Sequence, residues 1–367
     1  MAGNKFISKL IYDFFKKYSI PEIKNNYNLG DPGKIIIIRQ HNQLGDLLAG
    51  VPLFRAIKEK YPKVHLTVIA SPSNYQGLSK NKYIDRLFIF DKKRLFNPFY
   101  LYRLKKLLKE RYDIAIVPVT VSISFTSNIL ARFANAKIRI GPKSLDGKEN
   151  KSAFFFDRRV DIDWRKFPDQ NMYERSLDLV RPFGITTKNF RPEISFDEED
   201  LTKAAEFISS EIKLTKGEYL IGLHIGAGKP QNRWSLQKFA DLIDRINKSY
   251  PSKVYITGWI NDNEEISYIR GKLKVPVIYF LNHTIAQTAA LISKSHLFIG
   301  NDTGIMHVAG ATDVPQVSIF GPTNPFLWAP IGENKIFVRK SDFIDDISVE
   351  DVFEACNILL GKMPVFH

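Results

Sequence analysis

Short runs of valine and isoleucine recur along the first half of the chain, separated by stretches with helical spacing. The apolar residues in these runs do not alternate with polar ones, which is typical of strands buried on both faces of a sheet. Strands are predicted at residues 34–39, 64–70, 86–90, 113–119 and 137–140. Helices are predicted at residues 47–60, 98–109 (with Asn97 as N-cap) and 124–133. This order predicts a parallel sheet with helices on both faces.

The same alternation of predicted strands and helices resumes after residue 192. Strands are predicted at residues 219–224, 253–257, 277–280, 297–300 and 316–320. Helices are predicted at residues 198–211 (with Asp197 as N-cap), 235–247, 262–272, 285–293 and 349–360, with a short one from Thr303. The chain is therefore predicted to fold as two doubly wound α/β domains. Ligands of such domains bind beyond the carboxyl ends of the strands, so a cleft between the two is the expected active site.

The region that joins the two halves has no clear strand pattern. Residues 141–164 are polar and are predicted to be irregular, and residues 171–183 are predicted to be helical. The domain boundaries that follow are 1–183 for the first domain, 184–192 for the linker, 193–345 for the second domain and 346–367 for a last helical segment.

Composition excludes several classes of protein. With 367 residues, of which 44% are hydrophobic and 25% charged, the chain can form two globular cores and does not resemble a disordered protein. The single cysteine, Cys356, excludes a disulfide framework within the chain and a zinc or iron–sulfur site built on cysteines. No apolar run reaches the ~18–20 residues of a membrane span, and residues 1–29 lack the pattern of a secretory signal. We therefore expect a cytoplasmic protein.

The excess of positive charge lies in the first half of the chain. Residues 1–180 contain 33 basic and 17 acidic residues, whereas residues 181–367 contain 20 basic and 22 acidic residues, which together give the net charge of +14. Such a half either faces an anionic partner, such as nucleic acid, a membrane surface or a phosphorylated ligand, or is simply a solubilising surface. The basic residues are scattered and include Lys92, Lys93, Arg94, Lys105, Lys106, Lys109, Arg158 and Arg159.

Residues 1–29 form a basic segment with an amphipathic part. Between residues 5 and 18 the apolar residues recur at helical spacing, and lysines flank them. A basic helix with an aromatic face lies either in a bilayer interface or against its own domain as a covering helix. Both interpretations stay open, and the first would place the protein at the cytoplasmic face of the inner membrane.

A glycine and an aspartate follow the first predicted strand, in the sequence QLGD at residues 43–46. Gly45 permits a tight turn, and Asp46 lies at the start of the next helix. Asp46 is either an N-cap or a carboxylate that serves as general base in a cleft. His41 is a second polar candidate on the same side.

The loop after the strand at 219–224 has the composition of a phosphate site. In HIGAGKPQNRW (residues 224–234), Gly226 and Gly228 allow a ligand to approach the backbone closely, and Lys229 and Arg233 add positive charge. The pattern is neither the Rossmann GxGxxG nor a Walker A loop. The alternative is a glycine-containing connection with solvated cations.

The segment GNDTGIMH at residues 300–307 follows another predicted strand and begins a helix. Asp302 or Thr303 can cap this helix, and the amides from Thr303 and Gly304 onward can hold a diphosphate. Asp302 would repel a phosphate unless it hydrogen-bonds the backbone or a sugar hydroxyl. After the strand at 253–257, Gly258 with Glu264 and Glu265 is a candidate ribose site, although an acidic residue there also suits the first turn of a helix.

Four of these segments together resemble glycosyltransferase family 9, the lipopolysaccharide heptosyltransferases. The matching segments are residues 44–62 (LGDLLAGVPLFRAIKEKYP), 224–234, 300–310 (GNDTGIMHVAG) and 320–325 (FGPTNP). The resemblance implies a GT-B fold, with two Rossmann-like domains facing a central cleft. It also implies that the first domain binds the acceptor, that the second binds the nucleotide sugar, and that the last helix can return to the first domain.

The resemblance further implies an inverting, metal-independent transfer of a sugar from a nucleotide diphosphate. Asp46 corresponds to the catalytic base, with Gly45 and His41 on the acceptor side. The residues implied at the donor diphosphate are Gly226, Ala227, Lys229, Arg233, Asp302, Thr303, Gly304 and His307. Family donors are chiefly ADP-heptoses and acceptors are lipid A–core saccharides, so the expected partners are a nucleotide sugar and an anionic glycolipid. Neither a cofactor nor a metal is expected.

One departure from the family pattern concerns the donor. The family usually has lysine two residues before the tryptophan at position 234, whereas this chain has Asn232. Lys229 or Arg233 can replace the missing charge, and the sugar can differ. The competing hypotheses are a GT-B transferase with another nucleotide sugar and a catalytically silent nucleotide-sugar-binding protein. The charge alone suggests a nucleic-acid binder, but no recognised nucleic-acid-binding motif supports it.

Overall fold

The structure is a computed structural model that describes residues 13–14, 16–17, 19–24, 26–40 and 43–361, without the side chain of Asn261. Two predictions concern residues outside these ranges, namely most of the amphipathic segment at 5–18 and the candidate His41. Within the described ranges, no helix is both long and apolar enough to cross a membrane.

The elements are numbered in chain order. The strands are β1 (Lys34–Ile38), β2 (His65–Ala70), β3 (Arg86–Ile89), β4 (Tyr112–Ile116), β5 (Ala136–Leu145), β6 (Lys148–Glu149), β7 (Arg158–Ile162), β8 (Tyr219–His224), β9 (Ser252–Gly258), β10 (Ile278–Leu281), β11 (Leu297–Asn301), β12 (Gln316–Ile319) and β13 (Lys335–Val338). The α-helices are α1 (Leu44–Leu48), α2 (Val51–Lys60), α3 (Pro98–Lys109), α4 (Phe125–Phe133), α5 (Met172–Arg175), α6 (Glu198–Phe207), α7 (Leu236–Ser249), α8 (Asn263–Arg270), α9 (Ile285–Ser293), α10 (Gly304–Gly310), α11 (Pro325–Trp328) and α12 (Val349–Leu360).

The chain divides into two compact units. The first comprises residues 50–75, residues 82–189 and the described residues before 43. The second begins at Phe190 and also includes two short earlier segments, Gln43–Ala49 and Gln76–Asn81. The segment that carries Asp46 therefore belongs to the second unit, although it precedes most of the first unit in the chain.

The first unit is built on a parallel sheet with the strand order β3-β2-β1-β4-β5, as the hydrophobic runs predict. The central strand is β1, in which Ile36 pairs with Thr67 on β2 and with Ala115 on β4. Its four isoleucines are fully buried, as expected of a strand covered on both faces. Asn97 caps α3 as predicted, since its side chain accepts a hydrogen bond from the Tyr100 amide.

The prediction that residues 141–164 are irregular is wrong in part. β5 continues to Leu145, β6 pairs with it antiparallel, and β7 pairs with it in parallel. The register shifts between Pro142 and Ser144. A proline and a bulge in a strand at the side of a sheet break the run of buried residues that marks the central strands. This region therefore has no clear hydrophobic signal.

Two helix predictions also need correction. The helix predicted at 47–60 is divided into α1 and α2, and Pro52 lies in the first turn of α2, where its missing N–H leaves no bond unmade. Of the helix predicted at 171–183, only α5 is α-helical, and the chain then turns until Gly184, which has a φ of 67°. Pro182 has no N–H to donate to the carbonyl of residue 178, so an uninterrupted α-helix through residue 183 is disfavoured.

The second unit contains a parallel sheet with the strand order β10-β9-β8-β11-β12-β13. From β8 the chain proceeds outward through β9 and β10, and from β11 it proceeds outward on the other side. The strand order therefore reverses between β8 and β11, which is the topological switch point of a doubly wound sheet. The edge strand β13 was not predicted, because its residues are only half-buried or exposed. Asp197 caps α6 as predicted, and accepts from the Asp200 amide.

The last helix packs within the second unit. The buried face of α12 includes Val352, Cys356 and Leu359, which share one hydrophobic core with Trp234 and with Leu242 of α7. The described part of the segment after residue 345 thus belongs to the second unit, and its return to the first domain stays a prediction. Cys356 is a buried core residue, and burial raises the pKa of its thiol.

Candidate active site

The candidate site lies at the switch point of the second sheet. Gly300 of β11 pairs with His224 at the end of β8, so the loops that follow these two strands begin side by side. The first loop, residues 225–235, leads into α7, and the second, Asp302 and Thr303, leads into α10. Two segments that begin 76 residues apart in sequence are thereby brought to one edge of the sheet, as predicted for residues 224–234 and 300–307.

Asn301 holds these two loops together, and sequence reasoning did not identify it. Its Oδ1 accepts a hydrogen bond from the Trp234 amide at 3.1 Å, and its Nδ2 donates to the carbonyl oxygens of Ile225 (2.9 Å) and Gly226 (3.2 Å). The Asn301 side chain is fully buried. The side-chain amide of Asn301 therefore hydrogen-bonds the backbone at both ends of the loop after β8, which fixes these ends in place.

Replacing Asn301 with alanine should lower the free energy of unfolding by about 2–4 kcal/mol, because three buried backbone groups lose their partner. Urea denaturation monitored by circular dichroism measures this change. Asn263→Ala is the matched control, since Asn263 is exposed at the start of α8 and should change stability by no more than about 0.5 kcal/mol. Equal stabilities of the two variants would show that Asn301 does not support the loop.

The loops enclose a cavity of about 450 Å³. Its lining residues are Leu44, His224, Ala227, Gly228, Arg233, Trp259, Asp262, Thr303, Gly304 and Ile305. Of the predicted donor residues, Ala227, Arg233, Thr303 and Gly304 therefore line one space. Trp259, which is 43% exposed at the end of β9, adds a flat aromatic surface that was not predicted.

Thr303 and Asp302 have different tasks at the start of α10. Thr303 is the N-cap, and its hydroxyl accepts from the Met306 amide at 3.5 Å. Asp302 accepts a hydrogen bond from Asn232 Nδ2 at 2.9 Å. Burial raises the pKa of Asp302, whereas the Thr323 hydroxyl and the charge of Lys229 lower it. The Asp302 carboxylate is thus held by neutral donors, with a lysine as its cationic neighbour.

Asn232 occupies the position at which the family usually has lysine. Its Nδ2 also lies 3.4 Å from the Thr323 hydroxyl, and its Oδ1 is buried and accepts no hydrogen bond. The asparagine thus makes a hydrogen bond to Asp302 but brings no positive charge to it.

The two cations of this loop are in different environments. Arg233 forms an ion pair with Glu265 at 2.5 Å and donates to the Ala227 carbonyl at 3.2 Å, so its guanidinium is fixed within the protein. Lys229 is exposed, and its ammonium forms no hydrogen bond or ion pair within the described residues, although its charge acts on Asp302 and its backbone carbonyl accepts from the Asn232 amide. Only Lys229 can move to a ligand without breaking an ion pair.

One acidic residue that contacts this loop is Glu265. Glu264, the predicted ribose ligand, is exposed on α8 and does not line the cavity. Glu265 is buried, and its Oε2 accepts no hydrogen bond. The placement therefore does not support the predicted role of Glu264. A shift of one position on a helix turns a side chain by about 100°, so the sequence alone could not choose between two adjacent glutamates.

The predicted glycines serve two purposes. A Cβ on Gly226 would lie 2.5 Å from Oδ1 of Asp262, so this position has no space for a side chain beside the cavity. A Cβ on Gly258 would lie 2.8 Å from Cδ1 of Ile266, so Gly258 allows β9 to pack against α8. Neither glycine lines the cavity, and Gly258 is a packing residue.

His224 and Asp262 are further polar residues of the cavity that sequence reasoning did not select. Nδ1 of His224 lies 3.1 Å from both the carbonyl oxygen and the hydroxyl of Thr257. Burial lowers the pKa of His224, although the charge of Asp262 acts in the opposite direction. Asp262 accepts from the Trp259 amide at 2.7 Å, which orders the turn that carries the tryptophan.

The segment with Asp46 packs closely on α10. A Cβ on Gly45 would lie 2.4 Å from Cδ2 of His307, and a Cβ on Gly304 would lie 3.1 Å from Cβ of Leu44. Glycines at both positions therefore allow α1 to contact α10 directly. This contact brings the predicted base and the predicted donor segment into one unit.

Asp46 is not a helix cap. It lies in the first turn of α1, whose N-cap is Gln43, and the Asp46 side chain is only 5% exposed. The alternative that explains Asp46 as an N-cap is therefore wrong. His307 lies behind Gly45 and contacts Trp328 edge-on at 5.9 Å. Burial lowers the pKa of His307 to about 4, so it is neutral at pH 7 and brings no positive charge to a diphosphate.

Among residues 43–361 and the described residues before them, no group of three or more His, Cys, Asp or Glu side chains could hold a metal ion. Among the described residues that line the cavity, Arg233 is the one arginine or lysine, and Lys229 lies in the same loop.

The chain is similar to known enzymes over most of its length. It is 28% identical over 358 residues to lipopolysaccharide heptosyltransferase 1 of Campylobacter coli, covering 89% of this chain and 99% of the relative. It is 26% identical over 317 residues to lipopolysaccharide heptosyltransferase 3 of Escherichia coli, covering 82% and 87%. The solved structure of Escherichia coli ADP-heptose lps heptosyltransferase II has the same fold, with a TM-score of 0.73, 21% identity and coverage of 90% of this chain and 99% of that one.

The family model for glycosyltransferase family 9 (heptosyltransferase) matches residues 101–352, which is more than half of the chain. The two parallel sheets and the shared fold are those of GT-B enzymes. This chain is therefore a GT-B glycosyltransferase and belongs to glycosyltransferase family 9, the heptosyltransferases.

Proposed function

We propose that this glycosyltransferase transfers a heptose-type sugar from ADP-heptose to a lipopolysaccharide core or lipid A-type acceptor, with inversion at the anomeric carbon. The observation that carries the proposal is the cavity at the switch point, where Ala227, Thr303 and Gly304 meet next to the segment of Asp46. The names of the relatives, lipopolysaccharide heptosyltransferases, support the sugar and the acceptor class.

The second unit is the proposed donor domain. The diphosphate lies against the amides of Gly304 and Ile305, which line the cavity and, as first-turn residues, have no acceptor within α10. Lys229 moves onto the phosphates, while Arg233 and Glu265 hold the loop. Trp259 offers its ring to the base, since aromatic rings stack on nucleobases. Asp302 is left to accept a hydroxyl of the sugar or ribose.

Asp46 is the proposed general base. The acceptor hydroxyl gives its proton to the Asp46 carboxylate as its oxygen attacks the anomeric carbon from the face opposite the nucleotide. The bond from this carbon to the diphosphate oxygen breaks, and the negative charge passes to the leaving ADP. Preorganised amides and the Lys229 ammonium stabilise that charge without reorganising at the moment of reaction. The attack from the opposite face gives inversion.

The first unit is the proposed acceptor domain. Its excess of basic residues suits a phosphorylated glycolipid, because anionic headgroups attract Lys and Arg near a bilayer surface. Gly45 was predicted on the acceptor side, and its proposed role there is to position Asp46. With such an acceptor the protein acts at the cytoplasmic face of the inner membrane.

The choice of nucleotide is tested by ligand-induced thermal stabilisation. ADP and ADP-heptose should raise the melting temperature more than UDP, GDP or their hexose conjugates, since a ligand at a hundred times its Kd stabilises by about 2.7 kcal/mol. A larger shift of the melting temperature with UDP or GDP would mean that the donor is another nucleotide sugar, while the fold and the transfer reaction would stand. The asparagine at position 232 allows such a donor. Binding without transfer to a lipid A–core acceptor would assign a nucleotide-sugar-binding protein.

Transfer should not require a divalent cation. Dialysis against a chelator is expected to leave the rate of sugar transfer within about twofold, because amides and Lys229 stabilise the leaving group. Product formation with and without added magnesium measures the effect. A strict requirement for magnesium would mean that Lys229 and the amides do not suffice.

A further inference from the structure

Three exposed aromatic side chains mark the start of α3. Phe96 is 97% exposed, Phe99 68% and Tyr102 63%. Phe99 and Tyr102 are three positions apart and therefore share one side of the helix. The opposite side carries the buried residues Tyr100 and Leu104, which pack in the core of the first unit. The aromatic rings thus project away from the core that the helix covers.

Local structure does not explain the exposure of Phe96. It precedes the N-cap Asn97, and a hydrophobic residue at that position commonly packs on the fourth residue of the helix, here Leu101. An exposed fraction of 97% shows that Phe96 makes no such contact, and Leu101 is itself 48% exposed. Phe96, Phe99 and Tyr102 together expose three large rings within seven residues, and a group of exposed apolar side chains of this kind indicates an external partner.

The surroundings of the rings are strongly basic. Residues 92–109 contain seven Lys and Arg and no Asp or Glu. None of these cations forms an ion pair within the described structure, although Arg94 stacks over Tyr100 at 5.0 Å. Elsewhere in the first unit, cations such as Lys58 and Arg86 are paired with Asp85 and Glu110. Unpaired positive charge around exposed aromatic rings is complementary to anionic lipid headgroups above an apolar layer.

We propose that residues 92–109, with Phe96, Phe99 and Tyr102 at their centre, dock the protein on an anionic lipid bilayer. The rings enter the boundary between headgroups and acyl chains, and the Lys and Arg side chains contact the lipid phosphates. Each basic residue near such a surface strengthens binding by roughly fivefold, so the cluster suffices for reversible attachment without a membrane span.

The topology places this surface at a functional edge. α3 follows β3 of a parallel sheet, so its first turn lies near the carboxyl ends of the strands, where ligands of doubly wound domains bind. If the proposed function holds, docking brings that edge of the acceptor domain to the membrane that contains the glycolipid. The docking itself does not depend on the identity of the sugar.

Vesicle co-sedimentation of the full chain tests the proposal without any assay of transfer. The wild type should bind vesicles of phosphatidylcholine with 30 mol% phosphatidylglycerol, and added salt should weaken this binding. The triple variant Phe96→Ser, Phe99→Ser, Tyr102→Ser should bind at least about tenfold more weakly, because it lacks the three aromatic rings that the wild type buries in the bilayer. All three residues are exposed, so the variant should keep the melting temperature of the wild type.

Phe343→Ser is the matched control. Phe343 is 76% exposed but lies between Asp342 and Asp345 in the second unit, so its replacement should leave vesicle binding unchanged. Equal binding by the triple variant and the wild type would overturn the proposal, as would equal binding to vesicles of phosphatidylcholine alone. A concentration-dependent dimer that the triple variant abolishes would assign this surface to a second copy of the chain and would also overturn it. Unchanged sugar transfer to a delipidated acceptor would separate docking from catalysis.

Discussion

Asp46→Asn should fold normally, keep donor binding and lose turnover by about 10²–10⁴-fold, the usual contribution of a positioned proton acceptor. Asparagine has the shape of aspartate but cannot take the proton of the acceptor hydroxyl. Asp46 lies in the first turn of α1, whose N-cap is Gln43, so the substitution leaves the N-cap residue in place. Initial rates of sugar transfer give kcat, and titration with ADP gives donor affinity.

A second substitution distinguishes catalysis from a helix effect. Glu198, like Asp46, is an acidic residue in the first turn of a helix, but it is exposed on α6. Glu198→Gln should cost about 0.3–1 kcal/mol of stability through the helix dipole and leave kcat unchanged. If Asp46→Asn behaved in the same way, with a kcat near that of the wild type, Asp46 would not be the base and the proposed mechanism would fail.

Much of the framework of this site follows from sequence pattern. The uninterrupted isoleucines of β1 and the valine-rich and isoleucine-rich runs of the second half predicted two parallel sheets, since burial on both faces requires such runs. The edge elements β7 and β13 were missed because they are partly exposed and contain polar residues. The local hydrophobic pattern reflects burial. Edge strands are only partly buried, so the pattern does not identify them.

The side chains of the site were harder to predict than its loops. The segments at 224–234 and 300–307 meet as expected, because a switch point depends only on strand order. The roles of individual residues depend on partners that are distant in sequence. Asn301 is important through three backbone groups of another loop, and Glu265 through an ion pair with Arg233. Neither partnership leaves a signal in a single sequence.

Position 232, where this chain has asparagine in place of the family lysine, is another case in which the sequence alone does not reveal the partners of a side chain. The sequence offered Lys229 and Arg233 as equal substitutes for the family lysine. The ion pair of Arg233 with Glu265 separates them, because its release would leave a buried carboxylate without its partner. Lys229 has no such constraint. The ion pair of Arg233 therefore distinguishes two neighbouring cations that the sequence alone left equivalent.

Lys229→Gln should lower kcat/KM by about 10²–10³-fold, the usual effect of removing one group that stabilises a developing negative charge. Adding Asn232→Lys to this variant should restore most of the loss. The Asn232 side chain already reaches Asp302 at 2.9 Å, so a lysine there would present an ammonium to the same part of the site. Lys216→Gln, an exposed lysine in the loop before β8, is the control and should change nothing. Steady-state transfer rates over a range of donor concentrations give the comparison.

A kcat/KM of Lys229→Gln within twofold of the wild type would show that Lys229 is a solvated surface residue. If Lys229→Gln is strongly impaired and the added lysine does not rescue it, charge at position 232 is not equivalent to charge at position 229.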